Sequence, residues 1–338
     1  MNSVKIGIVG LGRLGKRHAQ NLRYKVVGSD LTAACSIVPE ELAWAEKELG
    51  ISETYSDYDE MLAKADLDAV FLVTSSSMHA AQSIKALEKG LHVFTEKPMG
   101  VNLEECRNVE AVVSRHDNQV FFVGFVRRFD PSYAYAKKLI DDGVIGEPFL
   151  VRSQTVDLDE YAEFQVEFVP SSGGIFLDCN VHDIDLARWY LGSEVKTVYS
   201  KGGSYVHKAF DEVDDADNTV VLATFEDGKM AVIAASRTAF HGHDTHTEIT
   251  GSKGILKIGM TPAKNRVEIF DANGARQECV KDFYERFQEG FLNEAQEFVD
   301  CIIEGRRPIV SALDGTKATE VGFAMTDSFK QKKEIVLI

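Results

Sequence analysis

The sequence predicts an α/β protein: a doubly wound parallel sheet at the N-terminus, then an α+β region built on a large open, mostly antiparallel sheet. Three observations carry this expectation. Over residues 4–124 short apolar runs alternate with longer helix-period segments, the pattern of parallel strands joined by crossover helices. A Gly-rich turn links the first run to the first helical segment. Beyond "FDPSYAYAKKLIDDGVIGEP" the pattern changes to alternating runs punctuated by turn signals. The 338 residues exceed what one core usually holds, about 250–300 residues. Two domains are therefore expected, 1–124 and 125–338, with a terminal helix free to pack back onto the first.

The elements follow in order. Strands are expected at "VKIGIV", "LTAACS", "DAVFLVT", "LHVFTE" and "QVFFVGF". The helical segments "PEELAWAEKELG" and "MHAAQSIKALEKG" each close on a glycine able to form a left-handed cap. In the second region the strands are "FLVRSQTV", "KTVYSKGG", "TVVLATFEDGKMAVIAASR", "THTEITGSKGILKIG" and "NRVEIFDANG", with "EDGK" and "DANG" as turns. Two helices close the chain near 285–304 and 311–332, and no repeat or low-complexity tract interrupts it.

Composition narrows the class of function. Hydrophobic residues at 44% and charged residues at 27% are ordinary for a globular protein, and no run of about 18 apolar residues suggests a membrane span. The N-terminal "MNSVKIGIVG" enters a strand-like run without signal-peptide features, so a cytoplasmic protein is expected. A net charge of −16 argues against a nucleic-acid partner, which needs clustered Lys and Arg. The five cysteines are scattered and never form C-x-x-C, which fits reduced thiols.

"GLGRLG" places Gly10, Gly12 and Gly15 in G-x-G-x-x-G spacing after a strand and at the opening of a helix, with Arg13 and Leu14 between the last two. Such a turn lets a backbone approach a pyrophosphate while the helix N-terminus offers free N–H groups. Dinucleotide folds usually carry an acid at the end of the second strand, and here Ser36 or Ile37 takes that position. Asp30 precedes the predicted strand and falls at its far end. No Arg or Lys in "SIVPEEL" would attract a 2′-phosphate, and Glu40 and Glu41 lie nearby. NAD is the expected cofactor, with NADP left open. Ser75 and His79 follow "DAVFLVT" at the strand end where ligands of open sheets bind; His79 is equally suited to a helix start.

"VFTEKPMG" brings Glu96, Lys97 and Pro98 to the end of the next strand. A lysine before proline is held extended, and Lys97 is a candidate acid, base or anchor, or else an ordinary snorkelling lysine. "SGGIFLDCNVHDID" concentrates polar groups in an otherwise apolar segment. At about 100° per residue, Asp178, His182 and Asp185 share one helical face, whereas Asn180 and Asp183 point elsewhere. Asn180 could reach a pocket if the first turn is irregular, and Asp183 reads as a solvated or structural acid. Metal binding by this face is not expected, because a lysine ammonium would compete for the same carboxylates. In "FHGHDTH" the three histidines alternate, so they need not converge on a ligand.

"GLGRLG", "TEKPMG", "GFVRRFDPSY" and "SGGIFLDCNVHDIDLARWYLG", in this order, resemble the Gfo/Idh/MocA oxidoreductases over nearly the whole chain, and most of all their inositol dehydrogenases. The resemblance implies a Rossmann domain, a second domain that often mediates tetramers, and NAD-linked oxidation of a cyclitol or sugar hydroxyl. By it Lys97 belongs to the catalytic E-K-P motif with Glu96 at the cofactor, and Asp178 and His182 match a catalytic D-x-x-x-H pair. Arg127, Asp157 and Asp185, with Asn180, fall on the substrate side. The polyol is the expected partner. Whether Lys97 or His182 first takes the proton stays open, because the two can form one relay. Two rivals share the scaffold: a glycosidase using NAD transiently, and a non-catalytic cofactor-binding regulator.

Overall fold

The computed structural model describes residues 3–337. The chain divides into two compact units, Met1–Phe129 with Glu289–Thr319, and Asp130–Gln288 with Glu320–Ile338. In the first unit β1 (Val4–Val9), α1 (Arg13–Tyr24), β2 (Ser29–Cys35), α2 (Pro39–Leu49), β3 (Glu53–Tyr55), α3 (Tyr58–Lys64), β4 (Ala69–Leu72), α4 (Ser76–Glu88), β5 (His92–Glu96), α5 (Leu103–Val113) and β6 (Phe121–Gly124) alternate regularly. Every strand pairing is parallel. The order is β3-β2-β1-β4-β5-β6. The direction of winding therefore reverses between β1 and β4, which opens a crevice at their carboxyl ends.

The strand "LTAACS" begins earlier than its apolar run suggests, at Ser29, so Asp30 lies inside β2 but still at the end remote from Ser36. The edge strand β3 went unanticipated, because three residues are too short to display a period. Helix α2 ends on Gly50 in the left-handed region at φ 67°, and Gly90 at φ 83° follows α4.

The second unit contains α6 (Pro131–Asp141), β7 (Pro148–Leu158), α7 (Ala162–Ser172), α8 (Ile175–Asp178), α9 (Val181–Leu191), β8 (Val195–Gly203), β9 (Asn218–Phe225), β10 (Met230–Ala239), β11 (Asp244–Gly251), β12 (Gly254–Ile258), β13 (Ala263–Asp271) and β14 (Gly274–Cys279). The chain closes with α10 (Phe283–Glu304), α11 (Ala312–Gln331) and β15 (Ile335–Val336). Seven strands form one sheet in the order β12-β11-β7-β10-β9-β8-β15, while β13 and β14 form a separate ribbon. The sheet is antiparallel except for the pair β7 and β10.

Sheet burial explains the layering of this unit. Along β9 the pattern alternates strictly, with Val221 and Ala223 buried and Val220 and Leu222 exposed. One face thus takes helices and the other does not. In the first unit, by contrast, all four residues of β4 are buried, as in a sheet covered on both faces. Phe298 of α10 packs edge-on against Phe71, Phe94 and Phe122, at 6.0, 5.8 and 6.1 Å between centroids. The portion of α10 from Glu289 onward thereby belongs to the first unit. A kink at Phe287, with φ −111° and ψ 20°, precedes it.

Candidate active site

The three glycines of the first turn meet different requirements. Gly10 has φ 88°, and a Cβ there would stand 2.5 Å from the Val73 carbonyl oxygen. At Gly15 a Cβ would lie 2.1 Å from the Gly10 carbonyl oxygen, so α1 and the turn touch backbone to backbone. A Cβ at Gly12 would meet nothing within 4 Å, which leaves open the space into which a pyrophosphate would come. Gly12 also caps α1 without any side-chain bond to the helix N–H groups. The first-turn N–H groups and the positive end of the helix fit a dinucleotide phosphate. Arg13 opens the helix, exposed, and Leu14 is half-buried behind it.

At the end of β2, Ser36 is buried and its hydroxyl donates to Glu41 Oε2 at 2.5 Å. The Ser36 Oγ also accepts the Val38 N–H at 3.1 Å. Glu41 thus brings a carboxylate to the end of β2, where the strand itself has none. Ile37 beside it is 88% exposed, an apolar surface with no partner from the interior. Ser75 caps α4 with its side chain unengaged and exposed.

His79 takes a different place. It is buried, with Nδ1 2.8 Å from the Pro98 carbonyl and Nε2 3.0 Å from the Thr74 carbonyl. Burial lowers its pKa against the opposing pull of those carbonyls. His79 thus ties the segment after Lys97 to the end of β4. The Lys97–Pro98 peptide is cis. Lys97 is half-buried, while Glu96 turns inward: its Oε1 lies 2.9 Å from His18 Nε2, and its Oε2 accepts the Lys97 backbone N–H at 3.2 Å. Arg127 is buried on the short 3₁₀ turn Val126–Phe129. Its neighbour Arg128 binds the Ile309 carbonyl and Asp314, both at 3.0 Å.

In the second unit the polar segment is two helices rather than one. The short α8 ends at Asp178, and α9 begins at Val181 behind an Asn180 N-cap. Asp178 and His182 are half-exposed, whereas Asn180, Asp183 and Asp185 are buried. Asn180 donates to Asp183 Oδ2 at 3.1 Å and to the Ala234 carbonyl at 3.0 Å, which uses both of its amide hydrogens. Asp183 also accepts from Ser153 at 2.6 Å and Thr155 at 2.7 Å. Of the two expected roles for Asp183, the structural one is realised: it ties α9 to β7, and no water reaches it.

Asp157, near the end of β7, pairs with His243 Nδ1 at 3.0 Å and accepts from Cys179 at 3.5 Å and Gln165 at 3.1 Å. Burial raises its pKa, but the hydrogen bond and charge of His243, with the Cys179 bond and Arg237, more than offset this and hold it low. The histidines of "FHGHDTH" do not converge. His243 faces Asp157, while His241 and His246 lie 3.5 and 3.6 Å from Asp244. Asp130 of "RRFD" caps α6 through the Ser132 N–H and pairs with Arg286 at 2.8 Å.

His18 and Glu294 escape a motif-based reading, because each meets its partner through a contact distant in sequence. His18 and Glu294 did leave a trace. His18 falls three residues after Gly15 on the inner face of α1, and Glu294 falls three after Phe291 and four before Phe298, on the apolar stripe of α10.

A parallel sheet with a reversal point, an open Gly-rich turn at a helix N-terminus and a lysine at the end of a neighbouring strand define a dinucleotide-dependent oxidoreductase. Residues 4–125 match the oxidoreductase family with an NAD-binding Rossmann fold, and residues 133–257 match the GFO/IDH/MocA C-terminal domain. The chain belongs to the GFO/IDH/MocA oxidoreductase family. It is 37% identical over 336 residues to the scyllo-inositol 2-dehydrogenase (NAD(+)) of Bacillus subtilis, covering 99% of this chain and 97% of the relative. The myo-inositol 2-dehydrogenase of Thermotoga maritima is 33% identical, with 99% and 98% covered. The crystal structure of scyllo-inositol dehydrogenase from Lactobacillus casei with bound NAD(H) and scyllo-inositol superposes with a TM-score of 0.96 at 41% identity, covering 99% of each chain.

Proposed function

We propose that the chain is an NAD-dependent inositol 2-dehydrogenase that oxidises one ring hydroxyl of scyllo- or myo-inositol to the inosose. The observation that carries this reading is full-length similarity to such dehydrogenases, one of them solved with NAD(H) and scyllo-inositol bound. The glycine turn would hold the pyrophosphate through the α1 N–H groups, with Arg13 and Leu14 alongside. Ser36, Ile37 and Glu41 would face the adenosine, and Ser75, His79 and Glu96 would shape the floor of the crevice. The Glu41 carboxylate favours NAD, since a 2′-phosphate would meet like charge. When bound, NAD supplies the hydride acceptor.

The chain's own residues handle the proton. As the carbon–hydrogen bond breaks and the carbonyl forms, the hydroxyl proton passes to Lys97 or His182, and Asp178 orients and charge-stabilises the base. Of Asp178, Asn180, His182, Asp183 and Asp185, Asp178 and His182 are the two that are not buried, which supports the assignment. Arg127, Asp157, Asn180 and Asp185 complete the substrate side. Asn180 has spent its donors and Asp185 is sealed. These two would act by holding α8 and α9 in place.

The test is a screen of NAD and NADP against myo-inositol, scyllo-inositol, D-chiro-inositol and glucose, followed by absorbance of the reduced cofactor. Turnover with a cyclitol and NAD is expected; turnover with glucose alone would refute the substrate. Lys97→Ala should lower kcat by about 10²- to 10⁴-fold while NAD affinity stays intact. Near-normal turnover would remove Lys97 from the reaction.

We further propose a cytoplasmic homotetramer. Among the described residues no helix is long and apolar enough to cross a membrane. Across the uncovered sheet face Tyr199, Leu222 and Val232 stand side by side, with Val220 and Ala234 in the next row. Such a patch suits contact between copies. Leu222→Glu should shift the sedimentation coefficient to a smaller species.

A further inference from the structure

Glu294 of α10 is completely buried, and neither of its carboxyl oxygens has a hydrogen-bond partner. It lies 4.0 Å from Nε2 of His18 on α1, and His18, Glu96 and Glu294 present atoms all within 4.8 Å of one another. Phe71, Phe94 and Phe291 enclose the His18 ring at centroid distances of 4.9, 5.8 and 5.4 Å. Two carboxyl groups cannot both ionise in such a box. Burial first, and the neighbouring Glu96 second, push the Glu294 pKa well above its ordinary value. Glu294 is then the neutral acid, and the Glu96 carboxylate takes the His18 N–H on one oxygen and the Lys97 backbone N–H on the other.

We infer that His18 and Glu294 are positioning residues for Lys97: His18 holds the Glu96 carboxylate on which the Lys97 backbone rests, and a Glu294 that does not take the His18 N–H leaves it to Glu96. An ionised Glu294 would compete for the same imidazole N–H, so its neutrality keeps that donor committed to Glu96. Neither residue touches substrate. The inference rests on the proposal that Lys97 acts in the reaction.

The experiment compares Glu294→Gln, His18→Leu and His18→Gln in the full-length protein, each shown to be folded by circular dichroism. Because Gln copies a neutral acid, Glu294→Gln should keep kcat within about threefold of the parent. His18→Leu leaves Glu96 Oε1 without its donor and should lower kcat about ten- to hundredfold. His18→Gln, which returns an N–H, should recover part of that loss. Independently of activity, isotope-edited infrared spectra at neutral pH should show a protonated-carboxyl band in the parent that Glu294→Gln lacks. The inference is overturned if Glu294→Gln loses as much kcat as His18→Leu. It is overturned equally if the two infrared spectra are identical, or if the parent retains a stoichiometric divalent metal that Glu294→Gln loses. Normal turnover by Lys97→Ala with the band still present would instead sink the assignment of Lys97.

Discussion

The Glu294→Gln substitution makes a quantitative prediction about stability as well as activity. In the unfolded chain a glutamate titrates near 4.5, whereas in the folded chain burial and the adjacent Glu96 raise the pKa of Glu294 well above that. Between those two values the native state holds one proton more than the unfolded state, so stability falls as pH rises. The slope for one proton is about 1.4 kcal/mol per pH unit. Gln carries no such proton, and other groups cancel in the comparison. The stability of Glu294→Gln relative to the parent should therefore climb with that slope wherever native Glu294 stays protonated. The climb ends where native Glu294 itself loses its proton. Urea unfolding at pH 5, 6 and 7 measures it, read through Trp44, which lies on α2 in the first unit, in a Trp189→Phe background. A difference that stays flat across these pH values would refute the neutral acid.

Other perturbations probe the remaining sites. Asp183→Ala strands Ser153, Thr155 and Asn180 in the interior and should cost about 3–5 kcal/mol, read by urea unfolding through Trp189 on α9. A loss under about 1 kcal/mol would mean that these bonds rearrange. Glu41→Ala removes the carboxylate bound to Ser36 and should raise the NADP-to-NAD ratio of kcat/KM by about tenfold or more; an unchanged ratio would place the ribose elsewhere. Gly15→Ala drives a Cβ to 2.1 Å from the Gly10 carbonyl oxygen, so NAD affinity and Tm should fall together. The expected loss is at least about 2 kcal/mol, and a Tm equal to the parent's would show that the turn relaxes.

The alternation of buried strands and helices was legible in residues 4–124, where most strands read as apolar runs and α2 and α4 close on Gly50 and Gly90. The edge strand Glu53–Tyr55 was not, since three residues carry no period. Helix α7 was not anticipated either; Pro170, a helix breaker in sequence, sits near its end. For residues 172–185 angular arithmetic separated Asp178 and His182 from Asn180 and Asp183. It also placed Asp185 with the first pair, whereas Asp178 and His182 are half-exposed and Asp185 is buried. The separation of Asp183 survives the break between α8 and α9 because Cys179 and Asn180 keep right-handed helical dihedrals.

Local sequence determined the elements, the glycine turn and the set of polar residues able to do chemistry, because spacing and backbone freedom act within a few residues. Tertiary structure alone decided which of those residues are sealed. Asp183 became a structural acid because Ser153 and Thr155 of β7 lie opposite it, and Ser36 is paired with Glu41 because α2 turns back over the end of β2. Glu294 became a neutral acid because α10, entering from nearly 200 residues later, delivers it to His18 and Glu96 inside a shell of phenylalanines. Burial and long-range partners set the charge of a carboxyl group, and neither is a property of its neighbours in sequence.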